Sequence, residues 1–223
     1  PTANGTKVSA LATAADGTIY VGARGEAGFL QTSPNGATVF QSLPFDSTFP
    51  PPVFGEIISI LNLKETVYFV SAKGIISYRN HVAVFRESEF TTLSAFALND
   101  RILLQTKENG LCWWENNLPQ PLGGAAAVSP ADVITALIPL DAGHALLAGS
   151  SSGLMLFDGS RISVPELPVQ KLLNENPVSC ALRLSDGNIA LGTTRKGVVV
   201  INPALQLVQL IDKEASMQNS FVR

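Results

Sequence analysis

Charged side chains are scarce in this 223-residue sequence: 15% of it is Asp, Glu, Lys or Arg, with 18 acidic against 15 basic residues and a formal net charge of −3. There is no Lys/Arg block, which argues against a nucleic-acid partner or an anionic membrane surface. Cysteine is nearly missing too. Cys112 and Cys180 are too few and too far apart for a disulfide scaffold or a zinc cluster, and both read as small buried apolar residues. Long apolar runs are lacking: Ile57–Leu63 and Val198–Ile201 fall far short of the ~20 residues a membrane-spanning helix needs. A hydrophobic fraction of 46% excludes intrinsic disorder and supplies a real core. Pro1 in place of Met predicts a trimmed or processed chain.

What the sequence does contain is a repeat. Ser185-Asp186-Gly187-Asn188-Ile189-Ala190-Leu191-Gly192-Thr193, followed by Gly197-Val198-Val199-Val200, matches Ala15-Asp16-Gly17-Thr18-Ile19-Tyr20-Val21-Gly22-Ala23, followed by Gly28-Phe29-Leu30. Weaker copies are Thr66–Val70 before Gly74, Arg101–Gln105 before Gly110, and His144–Gly149 before Gly153. The second glycines, Gly28, Gly74, Gly110, Gly153 and Gly197, recur at intervals of 46, 36, 43 and 44 residues. That period is the length of a four-stranded propeller blade.

Asp-Gly between two apolar runs is a tight hairpin turn, because both residues tolerate positive φ. First strands are expected at Val8–Ala12, Ile57–Leu61, Leu93–Leu98, Ile134–Leu140 and Val178–Leu184, and fourth strands at Ala37–Phe40, His81–Phe85, Arg161–Val164 and Leu207–Ile211. One such sheet cannot bury both of its faces, so the copies must stack on one another. A β-sandwich also has short alternating strands, but it does not require a repeat of about 40 residues. The expected fold is all-β, a β-propeller of about five four-stranded antiparallel blades, as an arc, a closed ring or part of a larger propeller. It is read as one domain over 1–223, with blades at 8–43, 54–89, 91–124, 132–170 and 176–215. Residues 216–223 are read as the start of a further blade or a closing strand, and one helical turn is expected at Val169–Asn174.

The Asp186–Thr193 frame followed by Gly197-Val198, the Asn219–Val222 restart, Ile19–Phe29, Val67-Tyr68-Phe69 before Gly74-Ile75, and Asn109-Gly110-Leu111 resemble the repeats of the two-component regulator propeller family. The resemblance covers nearly the whole chain. Where that family usually carries Trp after the Asp-Gly pair, Tyr20 and Ala190 stand here. The resemblance implies a sensor region of a large bacterial receptor, commonly the periplasmic part of a hybrid histidine kinase. It implies a location on the periplasmic or extracellular face of a bacterial membrane, membrane association only through the parent receptor, and an output module elsewhere in the parent.

Catalytic and metal-binding patterns fare poorly. Gly149-Ser150-Ser151-Ser152-Gly153 satisfies G-x-S-x-G in form, but it lies inside a repeat copy and Leu154–Phe157 after it reads as a strand, so it is a hairpin turn rather than a nucleophile elbow. His81 and His144, the only histidines, fall in turns of different copies with no ligand spacing around them. Asp16, Glu65, Asp100, Asp141 and Asp186 also sit in turns, and no expected first strand contains an acid, so a paired-carboxylate hydrolase is disfavoured. No catalytic residue, metal site or cofactor is assigned. Trp113 and Trp114 point to opposite faces of a strand, one into the core and the other over a blade edge or a partner.

In a propeller the second-to-third turns share one face. Here they gather Arg24, Glu26, Lys73, Lys107, Glu108, Arg195 and Lys196 into a candidate ligand-binding rim. The expected function is non-enzymatic sensing of a small molecule or oligosaccharide, with a homodimer allowed. The alternatives are a protein-interaction scaffold and a five-bladed glycan-active enzyme.

Overall fold

Turn chemistry sets the register of the sheets. At Asp16-Gly17 the Asp16 carboxylate accepts the Thr18 amide at 2.9 Å and Gly17 takes φ +85°; Asp186-Gly187 repeats this with Asn188 at 3.0 Å and φ +88°. Elsewhere the work is done by two-residue turns with both φ positive: Asn80-His81, Asn99-Asp100 and Asn116-Asn117. Asn and Asp tolerate that left-handed conformation, and its twist matches that of the flanking strands. His81, expected to open a strand, is therefore a turn residue, and the strand begins at Val82.

The computed structural model describes residues 4–45, 53–122, 128–129, 131–213 and 222. They form five antiparallel sheets of four strands each, with neighbours in chain order. Blade one is β1 (Val8–Thr13), β2 (Ile19–Ala23), β3 (Glu26–Thr32) and β4 (Thr38–Ser42). Blade two is β5 (Ile57–Leu63), β6 (Thr66–Ser71), β7 (Gly74–Arg79) and β8 (Val82–Glu87). Blade three is β9 (Thr92–Leu98), β10 (Arg101–Thr106), β11 (Gly110–Glu115) and β12 (Leu118–Pro121). Blade four is β13 (Ile134–Pro139), β14 (Ala145–Gly149), β15 (Gly153–Phe157) and β16 (Ile162–Ser163). Helix α1 (Pro168–Glu175) follows, and blade five is β17 (Val178–Arg183), β18 (Ile189–Thr193), β19 (Val198–Ile201) and β20 (Leu207–Ile211). This is the β-propeller architecture read from the repeat. The segment 216–223, expected to begin a blade or close a ring, lies outside the described residues except for Val222.

The chain divides into two compact units, Pro1–Gln120 and Pro121–Arg223. Within the first, one core lies between blades one and two around Tyr20, Ile57, Phe69 and Ile76. A second joins blades two and three through Val70, Ile75, Leu104 and Cys112. Within the second unit, Leu146, Leu154, Leu173, Val178, Leu191 and Val199 form a core joining blades four and five with α1. Each fully buried side chain of this size contributes about 1.5–3 kcal/mol. The cohesion is therefore between sheets, as stacking demands. Second strands show it best: β14 is buried at every position and β10 at all but its first, since both faces are covered.

Blade four departs from the others. Its fourth strand has only two residues, and α1 supplies the missing edge partner: Gln170 accepts the Leu154 amide at 3.1 Å and donates to the Ser152 carbonyl at 2.6 Å. Cys112 is fully buried, whereas Cys180, on β17 beside Gly192, is only half-buried.

Candidate functional site

The residues of the expected rim are mostly engaged in holding their own turns. In the first unit, Glu26 is buried and accepts the Asn4 amide at 2.8 Å and the Thr6 hydroxyl at 3.3 Å. Arg24 faces Glu56 at 4.0 Å, with both side chains largely exposed. Glu108 accepts the Thr91 amide at 2.8 Å, and that hydrogen bond holds its carboxyl below the usual range. Lys73 and Lys107 are exposed on the β6–β7 and β10–β11 turns. In the second unit Lys196 pairs with the buried Asp212 at 3.1 Å, and Arg195 is exposed. The two cavities described next are lined by none of these residues.

Those cavities open at the opposite strand ends of the first unit, where the first-to-second and third-to-fourth turns emerge. The larger, about 770 Å³, lies between blades two and three. Its rim alternates in charge: Lys64 faces Asp100 at 3.7 Å, Arg79 donates to Glu65, and Arg101 donates to Glu115. Its apolar wall is Leu63, Tyr68, Ile102 and Trp114. The Arg101 guanidinium also lies 3.9 Å over the Trp113 ring, a cation–π contact that fixes its plane. Of the tryptophan pair, Trp113 is buried beneath Arg101, and Trp114 packs edge-on against Phe90 at 5.9 Å while lining the cavity.

The smaller cavity, about 430 Å³, lies between blades one and two and shares Glu65 and Arg79 with the larger. Its floor is aromatic. Tyr20 meets Phe29, Phe69 and Tyr78 edge-on at 6.3, 5.9 and 6.2 Å, and Phe29 stacks on Tyr78 at 6.3 Å. Burial raises the pKa of both tyrosines, and the charges of Tyr78 and Asp16 raise that of Tyr20 further, so both phenols stay neutral. Asp16, Asn80 and His81 edge the mouth. Together the cavities make a trough with aromatic walls, paired charges and little net charge, which suits an extended polar ligand of low charge.

The trough offers little for acid–base catalysis. A general acid is usually a carboxyl desolvated by burial, whereas in the larger cavity the Glu65 side chain is 75% exposed, that of Asp100 64% and that of Glu115 43%. Among the described residues no three His, Cys, Asp or Glu side chains converge as metal ligands. The Ser150-Ser151-Ser152 turn is organised by a residue the sequence reading did not single out, the fully buried Asp132. Its carboxylate accepts the Ser150 hydroxyl at 2.9 Å, the Ser151 amide at 2.7 Å and the Ser152 amide at 3.1 Å. Burial pushes the Asp132 pKa up, and the bonds from Ser152, Ser150 and Ser151 outweigh it and hold it low. His144 packs against Asp141 at 2.8 Å in another turn, so no serine–histidine pair forms there.

With fold and trough in place, comparison with known proteins gives a structural answer only. No family model and no curated protein matches the sequence. Solved structures do match. The extracellular domain of a one-component system from B. thetaiotaomicron superposes with a TM-score of 0.69 at 15% identity, over 99% of this chain and 30% of that one. A second structure of that same protein's extracellular domain, described as part of a hybrid two-component system, gives 0.58 at 14% identity, over 100% of this chain and 36% of that one. Virginiamycin B lyase from Staphylococcus aureus gives 0.64 at 8% identity, over 91% and 69%. What they share with this chain is the propeller fold. The chain spans about a third of the length of that extracellular domain in either structure. No described helix is long and apolar enough to cross a membrane.

Proposed function

We propose that this chain is part of the extracytoplasmic sensor of a bacterial signal-transduction receptor and binds a small molecule or oligosaccharide without transforming it. The observation that carries the reading is the trough of the first unit, where aromatic walls and three opposed charge pairs line two adjoining cavities. Aromatic faces hold the apolar faces of a sugar or similar ring, and paired guanidinium and carboxylate groups bond its hydroxyls in both senses. The likeness to extracellular domains of signalling systems supports the setting, and with it a position outside the cytoplasm. The second-to-third turns are the other surfaces this reading allows, with Arg24, Glu26, Lys73, Lys107 and Glu108 in the first unit and Arg195 and Lys196 in the second. The lyase shares only the fold, and the exposure of the trough carboxyls gives an enzyme reading no support.

The test is a thermal-shift and calorimetric screen of neutral oligosaccharides and small polar metabolites. A hit should lose about tenfold in affinity on Arg101→Ala or Arg79→Ala, the loss of one charge-assisted hydrogen bond, and be unaffected by Lys107→Ala or Arg195→Ala. The reverse pattern moves the site to the rim. A flat screen beside a tight protein partner replaces the sensor with an interaction scaffold, and turnover of a hit refutes the non-catalytic reading.

A further inference from the structure

Three of the five first strands share an inter-blade device, whereas the extra residue is apolar in β5 (Ile58) and β9 (Leu93). In β1, β13 and β17 the pairing register shifts by one residue, and the extra residue is Ser9, Thr135 or Ser179. In blade one the Ser9 hydroxyl lies 3.2 Å from the Gly22 carbonyl of its own sheet and 2.7 Å from the Ile57 carbonyl of the next. In blade four the Thr135 hydroxyl lies 3.2 Å from the Ala148 carbonyl and 2.9 Å from the Val178 carbonyl. Ile57 and Val178 have the same place in the fold, each being the first residue of the next blade's first strand. The bulge sets the hydroxyl between the two sheets, within reach of a carbonyl on each.

Blade five repeats the arrangement with Val222 as the receiver. The Ser179 hydroxyl lies 3.1 Å from the Gly192 carbonyl and donates to the Val222 carbonyl. The sequence separation from Ser179 to Val222 is 43 residues, the same as from Thr135 to Val178. The packing agrees independently. A β-carbon on Gly22 would meet Ile57 Cγ2 at 2.5 Å, and one on Gly192 would meet Val222 Cγ1 at 2.8 Å, so each branched residue rests on a glycine of the preceding blade. The Val222 amide adds a bond to the Thr193 carbonyl at 3.0 Å.

We infer that the outer face of blade five is a docking surface for the innermost strand of a further four-stranded blade of the same polypeptide, and that Val222 is the first residue of that strand. The surface selects a strand whose first residue is small and β-branched, seats on Gly192, offers its carbonyl to Ser179 and donates its amide to Thr193.

Two experiments test this. In the Val222→Cys variant, mild oxidation should join the introduced thiol to Cys180, which shares the Gly192 contact with Val222; no such disulfide in the folded protein overturns the placement of Val222. Separately, a chain extended through the next ~45 encoded residues should melt at least about 5 °C above the chain ending at Arg223. Ser179→Ala should lower that melting temperature by as much as Thr135→Ala does, and by much less in a chain stopped at Lys213. A stop codon after Arg223, an extension without effect, or a shift that appears only with dimerisation, which would make a second copy the occupant, overturns the inference.

Discussion

Replacing Asp132 with alanine strips the β14–β15 turn of the carboxylate that organises it. Three donors lose their acceptor: the Ser150 hydroxyl and the Ser151 and Ser152 amides. A buried donor left without a partner costs about 1–3 kcal/mol. The turn is only part-buried, so water recovers some of this and the expected loss is about 3 kcal/mol. For a chain of this size that lowers Tm by about 6–12 °C. Asp132→Asn keeps the shape and one acceptor oxygen and should lose about half as much. The pH dependence follows from the depressed pKa. A group held below its unfolded value of about 3.9 adds stability that is present above that value and disappears as pH falls through the folded pKa. Urea unfolding of wild type and Asp132→Asn at pH 7 and pH 3 should therefore show a gap that narrows at pH 3. The reasoning is refuted if the alanine variant unfolds within 0.5 kcal/mol of wild type, a margin of roughly the scatter of surface substitutions, or if the gap is the same at both pH values.

Three further outcomes are expected. Gly28→Ala should cost about 2 kcal/mol or more in denaturant unfolding, because its new β-carbon overlaps the Gln41 carbonyl and meets Phe40 Cζ at 2.5 Å. Burial pushes the Cys112 thiol up to about 11, leaving about one thiolate in a thousand at pH 8. Iodoacetamide should then modify half-buried Cys180 first, with Cys112 following at the rate of unfolding, as read by peptide mass. Gln170→Ala should speed hydrogen exchange at the Leu154 amide while the core of blade five stays protected, because only the β15 edge loses its partner.

The fold was legible because the same turn recurs. Asp16-Gly17 and Asp186-Gly187 close on Thr18 and Asn188 with matching bonds, and each local signal agrees with the stacking that buries the sheets. Helix α1 was visible as Leu172 and Leu173 among polar neighbours, but its use of Gln170 as an edge partner was not. Functional residues were harder to see. Glu26 reads as a rim carboxylate, yet it is committed to Asn4 and Thr6, some 20 residues away in sequence. Asp132 sits in no motif, since a buried acceptor is recognised only by the amides that surround it. The trough draws on turns of three blades, a juxtaposition that no window of sequence contains. A usable clue was the series Asn80-His81, Asn99-Asp100 and Asn116-Asn117, each beside an Arg or Glu that reaches the trough.

Glu65 and Arg79 belong to both cavities, and their contact is the partition between them. An exposed pair of this kind holds by at most about 1 kcal/mol, less than a ligand would gain from two or three new hydrogen bonds. Were the proposed ligand to displace that contact, the two chambers would join into one corridor from Trp114 to Tyr20.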